Sequence, residues 1–343
     1  MILGIESSCD ESALALLDPS VGIVGEWISS QVSLHSEYGG VVPDLASREH
    51  LNNFGPLLRE VSLEHDLSRV EKIVVTSGPG LAGCLAMGLA VANALGAAWK
   101  VPVFAANHLR AHAHSVFIAP FHENPHRFDE AVSGFLPHLS LIVSGGNTIL
   151  ASIEEDRSLR IMGQTVDDAA GEALDKGAKL LGLGYPGGPK LEQLGVGGDK
   201  KAFDFPRALL NRPGLEFSFS GLKTSLLYTL EKMSEEQVSE NMADLCASYQ
   251  EAVVDVLIRK TKRALEEKSF RSVGLSGGVS NNESLRQRFH DLAETVGVSC
   301  LLAERRHTGD NASMIAFSHL FEGLTEPPAV IDIKPSLTIE SMV

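Results

Sequence analysis

Cysteine is scarce in this 343-residue sequence, and the four cysteines (Cys9, Cys84, Cys246 and Cys300) form no CxxC pair. Their spacing excludes a zinc ribbon and offers no disulfide framework. Long hydrophobic runs are scarce too, and no stretch approaches the roughly 20 apolar residues of a membrane-spanning helix. The N-terminal segment has neither a basic region before its apolar stretch nor an Arg-rich presequence. We therefore expect a cytoplasmic protein with no membrane association.

Positive charge is in short supply as well. Lysine and arginine number 29 against 44 acidic residues, a net charge of −15. Phosphate contacts need clustered cations, so nucleic-acid binding would require a local basic patch or help from a partner. Hydrophobic residues at 44% and charged residues at 21% are typical of a globular protein, and the length favours two domains.

Two segments of the sequence look alike. Short apolar runs at 2–5 and 13–17 flank small polar residues, and the same arrangement recurs with apolar runs at 139–143 and 149–151. Each predicts a β-hairpin, and the two are separated by about one domain length. The pattern indicates an internal duplication in an α/β protein, although any mixed α/β protein contains several hairpins.

Three turns rich in serine or glycine each follow an apolar strand. They cover residues 7–12, 144–148 and 276–282. Glycine lets backbone N–H groups approach phosphate oxygens, and a following helix N-terminus favours negative charge. Three such turns together predict a nucleotide held between two similar lobes.

Two histidines lie four residues apart, His108 and His112, which places both imidazoles on one face of a helix. That spacing suits metal capture, and the alternative is a pair of surface histidines. A zinc protease needs a glutamate directly after the first histidine, and Leu109 is there instead. The pair His122 and His126 is interrupted by a proline, so we expect it to lie in a solvated connector.

Carboxylates could complete a site. Asp310 precedes a predicted helix and is a candidate metal ligand, with a plain helix cap as the alternative. Asp168, Glu172 and Asp175 fall on one face of a helix predicted over 167–183, where a solvated charged face is the competing interpretation. The tail beyond residue 325 is expected at the surface.

Taken together, the motifs resemble one family. In order from residue 4 to residue 316 they are GIESSCDES, YGGVVPDLASREH, SGPGLAG, NHLRAH, VSGGNT, DDAAGEALDK, GYPGGP, FSFSGLKT, GGVSNN and TGDNASMIA. This set is similar to the bacterial type of the TsaD family, the tRNA N6-adenosine threonylcarbamoyltransferases, once labelled O-sialoglycoprotein endopeptidases. The resemblance implies the two-lobed ATPase fold of actin, Hsp70 and sugar kinases, built from duplicated RNase H-like domains. Its lobes would be 1–133 and 134–309, with a helix at 310–325 packing back near the cleft.

The resemblance also implies a set of site residues. The metal ligands would be His108, His112 and Asp310, which together would hold one divalent metal ion. Iron is the first candidate for that ion and zinc the second. Asp10 and Glu11 match acidic residues near the reaction centre, and either is a candidate to take a proton. The residues that would bind the adenylate are Ile142, Val143, Ser144, Gly145, Gly146, Asp175, Gly188 and Asn282.

The implied reaction transfers the threonylcarbamoyl group from threonylcarbamoyl-AMP to N6 of adenosine 37 in tRNAs that read codons beginning with A, with AMP leaving. An ATP- or ADP-type nucleotide would use the same cleft. The implied partners are tRNA, a TsaB-like paralogue and a TsaE-like ATPase, with a homodimer possible for the isolated chain. Arg207, Arg212 and Lys223 could form the local basic edge that an acidic protein needs for tRNA.

The sequence departs from the family pattern at three positions. Asn147 stands where bacterial members usually have histidine, and Ile142 stands where archaeal relatives have a metal-binding tyrosine. Ala312 replaces a glycine and adds only a methyl group. The chain resembles bacterial members with one ligand position in question.

Three alternatives of other classes stay open. A small-molecule kinase would explain the glycine turns but not His108, His112 and Asp310. An Hsp70-like ATPase would need a peptide-binding domain that this length does not hold. A non-catalytic paralogue would be expected to lack the metal ligands, and all three are present.

Overall fold

The computed structural model describes residues 1–343, which form two compact units. Unit 1 comprises Met1–Phe135, Glu155–Leu159 and Ala303–Val343. Unit 2 comprises Leu136–Glu154 and Arg160–Leu302. Each unit is built around one five-stranded sheet with helices packed on it.

The sheet of unit 1 has the order β3-β2-β1-β4-β5. Its strands are β1 (Ile2–Glu6), β2 (Glu11–Asp18), β3 (Gly22–Ser30), β4 (Lys72–Gly78) and β5 (Val103–Asn107). β1 pairs antiparallel with β2 and parallel with β4. β1 is buried along its whole length, as expected for a central strand covered on both faces. The polar residues that follow β1, β4 and β5 therefore emerge at one edge of the sheet.

Helices cover the sheet of unit 1. They are α1 (Val32–Ser36), α2 (Pro43–Glu64), α3 (Ala82–Trp99), α4 (His108–His114), α5 (Ile118–Glu123), α6 (Phe128–Phe135) and α13 (Ala312–Glu322). α3 packs against β4 and α2, whereas α13 packs against β1, β2 and α4. The short helix α4 thus lies between the end of β5 and α13.

Helix α3 corrects one expectation. Its 18 residues have a mean hydropathy of 1.5, so it is the one helix long and apolar enough to cross a membrane by length and composition alone. Its buried positions, Cys84, Leu85, Gly88, Ala92 and Gly96, recur with helical spacing and face the rest of unit 1. The expectation that no segment approaches spanning length was therefore wrong for this segment.

The second sheet has the order β10-β9-β6-β7-β8. Its strands are β6 (His138–Val143), β7 (Thr148–Ile153), β8 (Leu159–Gln164), β9 (Ser272–Ser276) and β10 (Ser299–Leu302). The helices of unit 2 are α7 (Ala170–Leu180), α8 (Gly187–Leu194), α9 (Ser220–Leu230), α10 (Glu235–Glu240), α11 (Met242–Glu267) and α12 (Glu283–Val296). The long helix α11 supplies much of the core of unit 2 through buried residues such as Tyr249 and Leu257.

The two sheets repeat one topology. Read from β8, the second sheet runs β8-β7-β6-β9-β10, which matches β3-β2-β1-β4-β5 strand for strand. β6 pairs antiparallel with β7 and parallel with β9, as β1 does with β2 and β4. The predicted duplication within an α/β fold is confirmed.

Three local predictions were wrong. The helix expected over 167–183 begins at Ala170, so Asp168 precedes it and accepts a hydrogen bond from Lys176 Nζ at 2.6 Å. The connector that contains His122 is not simply solvated, because His122 Nε2 accepts a hydrogen bond from the backbone N–H of Ile23 at 3.0 Å. The tail is not all surface, since Ile339 is fully buried in unit 1.

Candidate active site

Helix α4 carries the two predicted histidines of unit 1. Asn107 begins it, because the side-chain oxygen of Asn107 accepts hydrogen bonds from the backbone N–H groups of Leu109 and Arg110 at 3.0 and 3.3 Å. All seven residues of α4 are buried. A helix this short has little stability of its own, so tertiary contacts must hold its histidines in place.

The ligand atoms of His108, His112 and Asp310 converge. His112 Nε2 lies 3.0 Å from Asp310 Oδ1, and His108 Nε2 lies 3.5 Å from the same oxygen. One ligand atom from each of the three residues lies within 4.8 Å of the others. Asp310 is 198 residues from His112 in the sequence, so the fold alone assembles this group.

Glu6, at the end of β1, supports this group from behind. It is fully buried, and its Oε2 lies 3.1 Å from His108 Nδ1 while it accepts a hydrogen bond from Thr76 Oγ1 at 2.6 Å. The proton on Nδ1 of His108 is thereby directed at Glu6, which leaves Nε2 facing Asp310. Glu6 was not among the predicted site residues, although its place just before the first serine-rich turn was a usable signal.

The charges around His108 favour a cation at this position. Burial alone would lower the pKa of a histidine, but Asp310 and Glu6 outweigh it and raise the pKa of His108 well above its usual value. Burial would raise the pKa of Asp310, yet His108 and then His112 hold it well below its usual value. Two imidazoles and one carboxylate in a buried, negatively charged setting fit a divalent transition metal such as iron or zinc.

Asp10 lies on the turn between β1 and β2, and Glu11 is the first residue of β2. Glu11 accepts a hydrogen bond from Ser30 Oγ at 3.1 Å. Burial, with the charges of Asp310 and Asp10, raises the pKa of Glu11 to about 9. Without a metal, Glu11 therefore carries a proton at neutral pH and is poorly suited to accept another.

His50 of α2 contacts both ends of the same segment, at Cys9 and at Ser12. Its Nδ1 lies 2.7 Å from Ser12 Oγ and its Nε2 lies 3.0 Å from the backbone oxygen of Cys9. A neutral histidine satisfies both contacts by accepting at Nδ1 and donating at Nε2, and burial lowers the pKa of His50 accordingly. His50 was not among the predicted site residues, although it falls in a motif that carried the family resemblance.

The glycine turn of unit 2 is a closed backbone loop after β6. The N–H of Ser144 donates to the oxygen of Asn147 at 2.8 Å, and the N–H of Asn147 donates to Ser144 Oγ at 3.1 Å. Gly145 and Gly146 are exposed, and a Cβ atom built on either meets nothing within 4 Å. The turn therefore presents bare backbone to solvent, as a phosphate site requires.

The turn abuts the N-terminus of α7. A Cβ atom on Gly171 would lie 2.5 Å from the backbone oxygen of Ser144, so only glycine allows this contact. The hydroxyl of Thr148 accepts a hydrogen bond from the N–H of Ala170 at 2.8 Å. The positive end of α7 and the exposed amides of the turn thus occupy one place in unit 2.

The remaining predicted nucleotide residues have structural partners. Ile142 and Val143 are fully buried, so only their backbone could face a ligand, and Ile142 offers no metal-binding atom. Asp175 Oδ1 accepts from the N–H groups of Gly187 and Gly188 at 2.7 and 3.3 Å. Asn282 caps α12 through the N–H of Leu285.

The amide of Asn282 is engaged on both sides, because its Nδ2 also donates to Gln250 Oε1 at 2.8 Å. The predicted basic edge is likewise partly neutralised, since Arg207 Nε lies 3.4 Å from Asp255 Oδ2. Arg212 and Lys223 are exposed. Ala312 is fully buried beside Ala13 and Ala15, so its extra methyl group is accommodated.

A family model described as tRNA N6-adenosine threonylcarbamoyltransferase (TsaD) matches residues 22–317. The chain belongs to the TsaD family. Among curated TsaD relatives, a tRNA N6-adenosine threonylcarbamoyltransferase of Syntrophobacter fumaroxidans is 45% identical over 323 residues, and one of Thermotoga neapolitana is 42% identical over 315 residues. Each alignment covers 92% of this chain and 92% of the relative.

Solved structures support the fold of this TsaD chain. The activator of the 2-hydroxyisocaproyl-CoA dehydratase from Clostridium difficile matches 96% of this chain and 99% of its own, with a TM-score of 0.51 and 13% identity. HypF of T. kodakarensis matches 94% of this chain over 47% of its own, with a TM-score of 0.58 and 15% identity. The predicted fold, that of the actin and Hsp70 class of ATPases, is confirmed.

Proposed function

We propose that this protein transfers the threonylcarbamoyl group of threonylcarbamoyl-AMP to N6 of adenosine 37 in tRNAs that read codons beginning with A. Membership of the TsaD family supports the reaction class. The observation that carries the proposal is the convergence of His108, His112 and Asp310 on one point in unit 1. A small-molecule kinase or a scaffold paralogue has no need of such a group.

The metal site is proposed on the chemistry of its donors. A divalent metal held by His108, His112 and Asp310 would polarise a substrate oxygen and stabilise the negative charge that develops there. Glu6 would keep Nε2 of His108 unprotonated and aimed at the ion, because its carboxylate accepts a hydrogen bond from Nδ1–H and so holds the ring proton on Nδ1.

The carboxylates that follow β1, Asp10 and Glu11, would accept the proton released from adenine N6. Adenine N6 is a weak nucleophile because its lone pair is delocalised, so positioning must supply much of the rate. The N6 proton needs an acceptor as the new bond forms. Asp10 or Glu11 would accept it, and Glu11 is already engaged by a hydrogen bond from Ser30 Oγ. His50 would hold Asp10 and Glu11 in place through Ser12 and the backbone of Cys9.

The adenylate would occupy unit 2. Gly145 and Gly146 would offer backbone N–H groups to its phosphate, next to the N-terminus of α7. Asp175 and Asn282 would act mainly by shaping the site, because their side chains already hold the starts of α8 and α12. An ATP- or ADP-type nucleotide would use the same turn.

The partners belong to the proposal as well. With a net charge of −15, the protein would need Arg212, Lys223 and the surface of a partner to hold tRNA. The target adenosine lies in a single-stranded loop, so exposing it costs little. A TsaB-like paralogue and a TsaE-like ATPase would complete a cytoplasmic system, with a homodimer possible for the isolated chain.

The test is mass spectrometry of nucleosides from tRNA incubated with the protein, TsaB- and TsaE-type partners, ATP and threonylcarbamoyl-AMP. We expect threonylcarbamoyladenosine from the unaltered protein and none from His112→Ala. His114→Gln is the matched control, because His114 lies on the same helix but is paired with Ser318 at 2.9 Å instead of Asp310. Absence of the product with every variant, while another TsaD protein works in parallel, would rule out the transferase function and favour a kinase or scaffold.

A further inference from the structure

The segment after α13 folds back and contacts the first turn of α4. Residues 334–341, which we name the strap, are mostly exposed at their side chains, but Ile339 is fully buried within unit 1. The strap folds through two turns, with Leu337 N–H donating to the oxygen of Lys334 and Ser341 N–H donating to the oxygen of Thr338, each at 3.1 Å. An ordered segment with one buried anchor forms a defined contact with the surface beneath it.

That surface includes the first turn of α4. The side-chain Nδ2 of Asn107 donates to the backbone oxygens of Thr338 at 2.8 Å and Ser341 at 3.1 Å. Arg110 Nη1 donates to the backbone oxygen of Ile339 at 3.2 Å, and the same guanidinium pairs with Glu322 at the end of α13. The residues on either side of His108 in the first turn are therefore both bound to the strap.

The contacts of Asn107 fix its orientation. Its side-chain oxygen must face α4, because two backbone N–H groups donate to it there. Its amide N–H groups then point away from the helix, and the strap supplies an acceptor for each of them. Asn107 is only 1% exposed in the folded protein, so its two amide donors rely on the strap oxygens as partners there.

The strap also contacts a second support of His108. Lys334 N–H donates to the oxygen of Ser77 at 2.7 Å, and a Cβ atom on Gly78 would lie 2.0 Å from the oxygen of Lys334. Just beyond, Leu81 N–H donates at 2.8 Å to the oxygen of Ser8, whose hydroxyl lies 3.3 Å from His108 Nδ1. The strap thus contacts the helix that carries His108. It also contacts the end of β4, whose following residues hold Ser8 beside Nδ1 of His108.

We propose that the strap is a positioning segment for the metal site, which holds the first turn of α4 so that His108 stays aligned with His112 and Asp310. This inference rests on the proposed metal function. The seven-residue helix cannot hold this geometry alone, so its order depends on tertiary contacts, and the strap supplies those at its first turn. The alternative is that Ile339 adds only general stability to unit 1.

The test uses the full chain with Ile339→Glu, which should detach the strap, and Val330→Glu as a matched control at a position that is 73% exposed. A second variant lacks residues 334–343 outright, and thermal unfolding checks that it is folded. Hydrogen exchange of the metal-free protein is followed over residues 107–117 and over β6, and Zn²⁺ affinity is measured by competition with a chelator.

We expect faster exchange over α4 but not β6, and Zn²⁺ binding weakened about 10-fold, the lower end of what losing an outer support of a metal ligand costs. The control variant should match the unaltered protein. Unchanged Zn²⁺ affinity in the folded deletion variant would overturn the proposal, whether or not α4 exchange changes. If α4 exchange rises but the unaltered protein binds no Zn²⁺, the strap orders α4 only, and both the proposed metal function and the positioning role built on it are overturned.

Discussion

The turns after β1 and after β6 occupy equivalent places in two sheets of the same topology, yet they differ in chemistry. The turn after β1 is lined by carboxylates, with Glu6, Asp10 and Glu11 within six residues. The turn after β6 carries no charge and exposes two glycines. A repeated fold therefore fixes where a ligand can approach, and the side chains at that place decide which ligand it is.

The largest effect should come from Asp310→Ala in unit 1. Removing a ligand should weaken metal binding by more than the about 10–100-fold that loss of an outer-shell partner costs. The counterpart is Asp175→Ala in unit 2, which should leave metal content unchanged and cost about 1–3 kcal/mol of stability, because two backbone donors at the start of α8 lose their acceptor. Metal analysis and thermal unfolding of both variants check this. Loss of the metal in Asp175→Ala would contradict the assignment of metal binding to unit 1 alone.

Glu6→Leu should show that the carboxylate behind His108 matters to the metal site. We expect Zn²⁺ affinity to fall by about 10–100-fold, because the Nδ1 proton of His108 loses its charged acceptor. Glu6→Gln keeps an acceptor oxygen and should recover part of that affinity. Thr76→Val, which removes only the hydroxyl donated to Glu6, is the control in the same chelator competition. Equal affinity in Glu6→Leu and the unaltered protein would show that Glu6 has only a packing role.

Gly145→Ala should separate binding from folding in unit 2. A methyl group there meets no protein atom within 4 Å, so stability should change by less than about 0.5 kcal/mol. If the phosphate lies against this backbone, a non-hydrolysable adenylate analogue should nevertheless bind about 10-fold more weakly, because one contact worth about 1.4 kcal/mol is lost. Calorimetry measures this affinity. Gly171→Ala is the structural comparison, because its methyl group would clash with Ser144 and should lower the melting temperature. Undiminished binding by Gly145→Ala would place the phosphate elsewhere.

The smallest effect at neutral pH is a dependence of stability on buried histidines, because it develops only as the solution becomes acidic. Burial lowers the pKa of His138 to about 3, well below its value in an unfolded chain. Below pH 6.5 the unfolded state binds a proton that the native state excludes, so the free energy of unfolding should fall by at most about 1.4 kcal/mol per pH unit down to pH 3. Above pH 6.5 this contribution is constant.

Denaturant titrations at several pH values check it, with His138→Asn as the comparison. In unit 1, burial lowers the pKa of His307 and His319 to about 4, so the same loss should appear there between pH 6.5 and 4. A slope that survives unchanged in His138→Asn would assign the whole effect to unit 1.

The sequence was most informative where pattern and local chemistry agree. Short apolar runs on either side of small polar residues predicted both hairpins. The spacing of His108 and His112 predicted one helix face, which α4 provides. The start of the helix after Gln164 was less predictable, because Asp167 accepts from Ser218, Phe219 and Ser220 and so belongs to a loop instead of a first turn. Hydrogen bonds between such distant residues do not alter the local hydrophobic periodicity from which helix boundaries are predicted.

The amino-acid sequence alone determined the α/β class, the repeated hairpins, and the family through its ordered motifs. It also determined which residue types could bind a metal, because two imidazoles on one helix face follow from the spacing alone. Only the tertiary structure decided that Asp310 meets those imidazoles, that Glu6 and His50 support the turn around them, and that the strap binds Asn107. These partners are far apart in the chain, and contacts between distant segments depend on packing that no local pattern encodes.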